Sequence, residues 1–465
     1  MRSARPGLAA ALVASTVLLS QTGQAVTPQP DLIAVGTIPG NYEDFALQTA
    51  APLENGIAGN LLGGMGSGLA YAGNNTFIAI PDRGPNAAPY NPAVDDTASY
   101  IPRFQTLHMS LAPSGNPTLP FTLTPMLTDT TLLSSESRLV YGNGAAAGLP
   151  DGAPALNAVD HTFYFSGRSD NFDPAKLSTS PRNGRFDPEG VRVSRDGRSV
   201  FITDEYGPFV YEFDRSSGRR VRVFQLPDAF AVSHVSSVGN DEINGNSSGR
   251  VANKGMEGLA ITPDGRTIVG IMQSPLIQDG GGNATVTRIV AIDVESGRMR
   301  QFGYRLDSAK FTVSEILAVN DHVFLVDERD GKGLGDGSTA VQKKVYRIDL
   351  WGARDISNLT GEAALLPFAV GKTEFLDIVT ALGSKGIPAT SVPAKLEGMA
   401  FGPDVKMGSA TKHTLFVSND NDFTPDPANP NKWLVFAFDD DLLPGFEPQR
   451  IRDRDRDGGD DDRSR

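Results

Sequence analysis

Apolar residues in this chain come in short alternating bursts. Thr76-Phe77-Ile78-Ala79-Ile80, Ser199-Val200-Phe201-Ile202-Thr203, Thr267-Ile268-Val269-Gly270-Ile271 and Val345-Tyr346-Arg347-Ile348-Asp349 are rich in β-branched and aromatic side chains and bounded by Gly, Asp or Pro. That is the pattern of short strands. Stretches with a helical period are nearly absent, the best being Glu374 to Gly383. The pattern predicts an all-β chain.

A larger repeat is laid over the strands. Glu189-Gly190-Val191-Arg192-Val193 is followed by Arg195-Asp196-Gly197-Arg198, a strand, and Asp204-Glu205. Glu257-Gly258-Leu259-Ala260-Ile261 is followed by Pro263-Asp264-Gly265-Arg266, a strand, and Gln273. Glu397-Gly398-Met399-Ala400-Phe401 leads through Pro403-Asp404 and an inserted loop to a strand ending in Asn419-Asp420. Ser67-Gly68-Leu69-Ala70 with Asp82-Arg83, and Glu315-Ile316-Leu317-Ala318 with Asp327-Glu328-Arg329, are degenerate copies. Each unit reads as strand, Asp-Gly turn, strand, then a further strand such as Phe209 to Asp214 or Arg288 to Asp293. A recurring β-unit without periodic helices predicts a single β-propeller of mostly four-stranded antiparallel sheets. Spacing suggests six blades, with seven as the alternative; Leu111 to Gly184 would hold a poorly marked blade and a long loop.

Composition narrows the setting. Arg2 and Arg5, the apolar run Gly7 to Leu19 and the small residues Gly23 and Ala25 have the anatomy of a secretory signal peptide over residues 1–25. The propeller would then occupy residues 26–449, and the protein would be periplasmic or secreted. Residues 450–465, almost wholly Arg, Asp and Gly, cannot bury apolar area and are expected to be a solvated tail. The sequence has no Cys, so disulfides and thiolate chemistry are excluded. The formal charge is −13, and loss of the leader, with two Arg and no acid, leaves −15. That balance disfavours nucleic acid as a partner, and no later segment predicts membrane insertion. A monomer acting on a small anionic or ester substrate is the expectation.

In a propeller the first strand of each blade lines the channel, and loops at one end build the site. If every unit is a hairpin, the Glu that opens its first strand and the acid or amide that closes its second share one rim. The repeat therefore gathers Glu189, Glu257, Glu315 and Glu397 with Asp82, Asp204, Glu205, Gln273, Asp327, Glu328, Asn419 and Asp420. So many carboxylates cannot stay ionised together without a partner. A hard cation with oxygen ligands is one solution, and Ca2+ fits because it accepts many oxygens in loose geometry. Interleaved cations from Arg83, Arg103, Arg185, Arg329 and Lys343 are another. The alternative is that the repeated Glu ties neighbouring blades together. No Gly-x-Ser-x-Gly elbow, clustered His pair or phosphate loop is present.

Several motifs together resemble the phytase-like family ("esterase-like activity of phytase"). They are Pro81-Asp82-Arg83, Pro102-Arg103-Phe104, Phe186-Asp187-Pro188-Glu189-Gly190, Thr203-Asp204-Glu205-Tyr206-Gly207-Pro208-Phe209 and Asn253-Lys254-Gly255-Met256-Glu257-Gly258. Val326-Asp327-Glu328-Arg329, Leu396-Glu397-Gly398-Met399-Ala400 and Ser418-Asn419-Asp420-Asn421-Asp422-Phe423 complete the set. The resemblance implies an exported propeller that hydrolyses an ester or phosphoester and, by analogy with calcium-dependent propeller phytases, a metal at the channel mouth. Ser67 and Gln273 stand where a fully acidic rim would have Glu. On this reading Arg83 and Arg329 clamp substrate oxygens and Glu205 or Glu328 is the general base. Arg103, Lys343 and Gln273 contact substrate, while Glu189, Glu257, Glu315, Glu397, Asp82, Asp204, Asp327, Asn419 and Asp420 hold the metal. A non-catalytic propeller that binds a partner, glycan or metal is the competing expectation, and lactonase-like hydrolysis a third.

Overall fold

The computed structural model describes residues 28–87, 95, 97–143, 149–157, 161–176 and 178–451. The expected leader lies outside the described residues, as does the tail beyond Ile451. Among the described residues five sheets of four consecutively paired antiparallel strands form the blades. Blade one runs outward through Gly68–Tyr71, Thr76–Ile80, Arg103–Pro113 and Phe121–Leu132, and blade two through Pro188–Val193, Ser199–Asp204, Phe209–Asp214 and Arg220–Gln225. Blade three comprises Met256–Ile261, Thr267–Met272, Val286–Asp293 and Met299–Arg305, and blade four Thr312–Ala318, Val323–Arg329, Lys343–Asp349 and Lys372–Asp377. Blade five takes Leu396–Phe401, Ala410–Asn419 and Asn431–Phe438 from the end of the chain and its outermost strand, Asp31–Ile38, from the beginning. Sharing a blade between the two ends closes the ring with backbone hydrogen bonds.

The inner strands neighbour one another in the cycle one, two, three, four, five and back to one. Among the described residues five blades, the same number as the copies of the repeat, are seen where six were expected. Leu111 to Gly184 is not a blade. Its described residues supply the end of the third strand and the whole outermost strand of blade one, and then a two-stranded pair, Ser134–Ser135 with Phe163–Tyr164. The helical candidate splits, because Lys372–Asp377 is the outer strand of blade four and Ile378–Ser384 is a helix. Asp377 caps it, accepting from Thr380 N at 3.0 Å.

Local chemistry accounts for both halves of the repeat. In the turns, Asp196 accepts from Ser194 Oγ at 2.6 Å and Arg198 N at 3.0 Å, and Asp264 does the same for Thr262 Oγ1 at 2.6 Å and Arg266 N at 3.0 Å. Gly197 and Gly265 follow at φ 71° and 74°, a region that favours glycine. In the inner strands the repeated Gly marks where backbones pass closely. A Cβ at Gly68 would lie 2.3 Å from Glu189 O, at Gly190 2.6 Å from Leu259 N, at Gly258 2.6 Å from Ile316 N, and at Gly398 2.8 Å from Leu69 N. In blade four the strand register puts Glu315 itself at this glycine position and Ser314 at the position of the repeated Glu.

One buried ion pair reaches all five inner strands. Arg192 Nη2 meets Glu315 Oε2 at 3.0 Å and Ile316 O at 2.9 Å, while Nη1 donates to Leu69 O at 2.8 Å. Glu315 accepts from Leu259 N at 3.0 Å and, at 3.5 Å, from Met399 N. At one mouth of the channel the chain after blade five passes Val319, whose carbonyl accepts from Glu447 N at 2.8 Å, and Gln449 donates to Val193 O at 2.9 Å. The other mouth is where the acidic rim sits.

Candidate functional site

At that mouth a cavity of about 150 Å³ is lined by Asp82, Arg83, Gly84, Pro85, Asn86, Glu189, Glu205, Asn253, Glu257, Gln273, Arg329, Lys395, Glu397, Asp420, Asp422 and Phe423. The hairpin geometry explains the convergence. Glu189, Glu257 and Glu397 each lie at the second residue of an inner strand, while Glu205, Gln273 and Asp420 directly follow the ends of the adjoining strands. Three of the lining residues, Asn253, Asp422 and Phe423, hold φ of 54°, 53° and 52°. Backbone conformations this sparsely populated are characteristic of sites where surrounding structure overrides local preference.

Charge in the cavity is divided unevenly. Arg329 binds Ser314 Oγ at 2.6 Å and pairs with Glu397. Lys395 meets Asp420 at 2.8 Å and also pairs with Asp422. Arg83 donates its backbone N–H to Asp187 Oδ1 at 2.9 Å and its guanidinium to Oδ2 at 3.3 Å. Among the described residues Glu189, Glu205 and Glu257 have no ion-pair partner. Glu205 accepts from Gly255 N at 2.8 Å, and Glu257 Oε1 accepts from Gln273 Nε2 at 2.7 Å while its Oε2, buried, has no hydrogen-bond partner. The neutral amide at Gln273 thus supplies a donor where another carboxylate would add repulsion.

Burial and mutual repulsion move these acids the same way. Burial, then Glu257, Asp187 and Glu205, push the Glu189 carboxyl well above its usual range. Glu257 is raised well above it by burial and the Glu205 and Glu397 charges. Burial and Asp187 lift Glu205 to about 7, with Arg250 and Arg83 opposing. Asp82 rises to about 6, chiefly by burial. Asp187, Glu189 and Glu205, all buried, each present an oxygen within 4.8 Å of the others. Such a triad could hold a metal ion. An all-oxygen donor set suits a hard cation, and no His lines the cavity to favour zinc.

Of the predicted site residues, Asp82, Arg83, Glu189, Glu205, Glu257, Gln273, Arg329, Glu397 and Asp420 come together here. Others do not. Glu315 is committed to Arg192 and backbone amides in the channel, so it ties blades rather than holding a metal. Glu328 is not in the cavity; it accepts from Tyr304 Oη at 2.8 Å and Asp307 N at 2.9 Å and pairs with Lys372 at 2.5 Å between blades three and four. The base role is therefore withdrawn from it. Asp204 accepts from Asp187 N and Tyr206 N, at 3.2 and 3.0 Å, and Asn419 accepts from Lys432 N at 2.6 Å; both brace loops. Asp327 is fully buried off the cavity, raised to about 7 mainly by burial. Arg103 binds Asp44 at 2.8 Å under blade one, and Lys343 binds Asp330 at 2.8 Å and Ala394 O at 2.6 Å, so neither reaches the cavity. Arg185 is buried between the rings of Phe172 and Tyr206.

Sequence reasoning missed Asp187, Lys395 and Asp422. Asp187 lies two residues before a repeated Glu, and Lys395 two before another, so the repeat carried a signal at that offset.

Known proteins resemble this chain at different depths. An uncharacterized secreted protein of Arthroderma benhamiae is 29% identical over 290 residues, covering 54% of this chain and 49% of its own length. The chain thus spans about half of that relative. Among solved structures, hydrazine synthase of Kuenenia stuttgartiensis shares 11% identity over 86% of this chain and 80% of that one, with a TM-score of 0.30. The periplasmic gluconolactonase of Pseudomonas aeruginosa shares 13% over 80% and 85%, also with a TM-score of 0.30. Similarity so remote says nothing about chemistry. Family-level similarity is far more extensive: residues 60–423, which contain all five inner strands and every cavity residue, match the family described as "Phytase-like: Esterase-like activity of phytase", and the chain belongs to it.

Proposed function

We propose that the cavity is the site of a cation-assisted hydrolase acting on an ester or phosphoester, in a protein exported as a monomer to the periplasm or the medium. The observation that carries this is the excess of buried carboxylates: Asp187, Glu189 and Glu205 converge, with Arg83 on Asp187 and the cavity's two other cations, Arg329 and Lys395, held on other acids. Asp187, Glu189 and Glu205 would hold the cation, and Ca2+ suits their all-carboxylate chemistry. A bound divalent cation supplies Lewis acidity and positive potential in a cavity that otherwise repels anions. Arg83 and Arg329 would orient substrate oxygens. Glu257, whose Oε2 is unpartnered, replaces Glu205 as the group to take a proton from water, since Glu205 belongs to the triad.

Purified protein is to be assayed for metal content and for turnover of aryl esters and aryl phosphates with Ca2+ and after EDTA. Turnover that needs the cation and disappears in Glu257→Gln supports the proposal. Full turnover in EDTA overturns the cation's role, and a Ca2+-loaded protein inert to every ester overturns hydrolysis. One observation favours a second reading, a cation-holding propeller without catalysis: Arg83 and Arg329 are both engaged by Asp187 and Glu397. Stoichiometric Ca2+ binding without turnover would select it.

A further inference from the structure

At the mouth opposite the acidic cavity the channel holds a second pocket, and the two share no described lining residue. All five inner strands contribute to it: Leu69 and Ala70 from blade one, Arg192 from two, Ile261 from three, Leu317 from four and Phe401 from five. It contains about 530 Å³ of space between atoms, counted out to its open rim. Pro448 and Gln449, from the chain after blade five, form its outer wall. That stretch is held in place by Gly445 O, which accepts from Asn320 Nδ2 at 3.0 Å, and by Gln449 Nε2, which donates to Val193 O at 2.9 Å. Of the described lining residues only Arg192 is charged. Four of its five N–H groups are used. Nη1 donates to Leu69 O at 2.8 Å and Val191 O at 2.5 Å, and Nη2 to Glu315 Oε2 at 3.0 Å and Ile316 O at 2.9 Å. The fifth, Nε–H, is buried with no hydrogen-bond partner among the described residues.

We infer that this pocket binds a small neutral molecule, apolar except for one carbonyl or hydroxyl oxygen that accepts from Arg192 Nε–H. An unmet donor on a buried cation is costly, and an acceptor in the adjoining pocket removes that cost. The apolar body would lie on Leu69, Ile261, Leu317 and Phe401. Water can meet the donor but leaves those walls hydrated, which an apolar body relieves. Charge selects against an acid. Glu315 already neutralises the guanidinium, so a ligand carboxylate would be a second anion on one buried cation. An ammonium would meet the guanidinium with no described carboxylate in the lining to offset it. Because the walls come from all five inner strands, occupancy should also stabilise the closed ring by mass action. None of this depends on a cation or on hydrolysis at the other mouth.

The probes are acetone, methyl butyl ketone and hexanoate, titrated into the full-length protein in EDTA and followed by ligand-detected NMR. Each buried methylene is worth roughly fourfold in affinity, so methyl butyl ketone should bind at least about tenfold more tightly than acetone even if only part of its chain is covered. Hexanoate should bind at least about tenfold more weakly than the ketone of similar length. The ketone should also raise the melting temperature and move the Arg192 Nε–H resonance in proton–nitrogen correlation spectra. Ala318→Leu fills the pocket from an inner strand and Gln449→Trp from the outer wall, and each should weaken ketone binding by about tenfold or more. Two walls are probed so that the outcome does not depend on one variant folding. No saturable ketone binding, or binding untouched by both variants, overturns the site. Hexanoate binding as tightly as the ketone, or an Arg192 Nε–H resonance that does not move, overturns the neutral acceptor as its ligand.

Discussion

Replacing Arg192 with Met removes the one side chain that donates to the inner strands of blades one and four and neutralises Glu315 at the centre of the channel. Both partners are almost fully buried, Arg192 at 2% exposure and Glu315 at 0%. Losing one member of such a pair strands the other, at a cost of about 3–5 kcal/mol. A native fold of this kind is held by only about 5–15 kcal/mol, so the urea midpoint near pH 8 should drop by about a fifth or more. Burial already lifts the Glu315 carboxyl to about 7, with Arg192 holding it down. Without Arg192 it rises further. A carboxyl whose folded value lies above the unfolded 4.5 contributes its stability below that value and loses it as pH rises through the folded one. The Arg192→Met penalty should therefore be smaller near pH 5 than near pH 8. In the double variant Arg192→Met/Glu315→Leu no charge is left stranded, so its loss should fall short of the summed single losses by about 2 kcal/mol. Urea unfolding of the four proteins at both pH values is the assay. Additive losses, or an Arg192→Met penalty independent of pH, would refute the view that the pair acts as one buried electrostatic unit.

Other consequences can be checked separately. Because burial and mutual repulsion raise Glu189, Glu205 and Glu257, the metal-free protein should lose thermal stability as pH rises from about 4.5 through 7, and Ca2+ should restore it near pH 8; a flat melting profile in EDTA would contradict this. Glu189→Gln should raise the melting temperature of the metal-free protein near pH 8 while weakening Ca2+ binding by tenfold or more, read by melting and calorimetry, since it removes both repulsion and a ligand. Glu328→Gln should cost about 1–3 kcal/mol in urea unfolding, through its Lys372 and Tyr304 partners, yet leave ester turnover unchanged. Gly167→Ala places a Cβ 1.7 Å from Arg83 O and should disrupt activity, whereas Gly282→Ala meets nothing within 4 Å and serves as the control in the same assay.

Much of this was legible in the chain because a propeller repeats its local physics. Asp196 and Asp264 build the same turn for the same reason, and the Glu-Gly pairs mark inner strands because glycine lets adjacent backbones pass. The repeated Glu and the strand-end acids share a rim because each hairpin returns to its start, which holds for nine of the predicted residues. Sequence periodicity alone could not reveal that Leu111 to Gly184 adds outer strands instead of a blade, since outer strands and a weak blade have the same alternation.

What only the tertiary structure decided is the fate of each charge. Glu189, Glu257 and Glu397 hold the same position of their inner strands and Glu315 the next position of its own, yet one joins a metal-capable triad, one keeps an oxygen without a hydrogen-bond partner, one locks the channel with Arg192, and one binds Arg329. The chain itself determines an all-β propeller with acids gathered at one mouth, because strand alternation, turn chemistry and close backbone packing are local and repeat. Which acid is neutralised depends on cations from distant segments, Lys395 or Arg83 among them, that only folding brings within reach. A carboxylate's role is set by the nearest opposite charge and by its burial, and neither is a property of its neighbours in sequence.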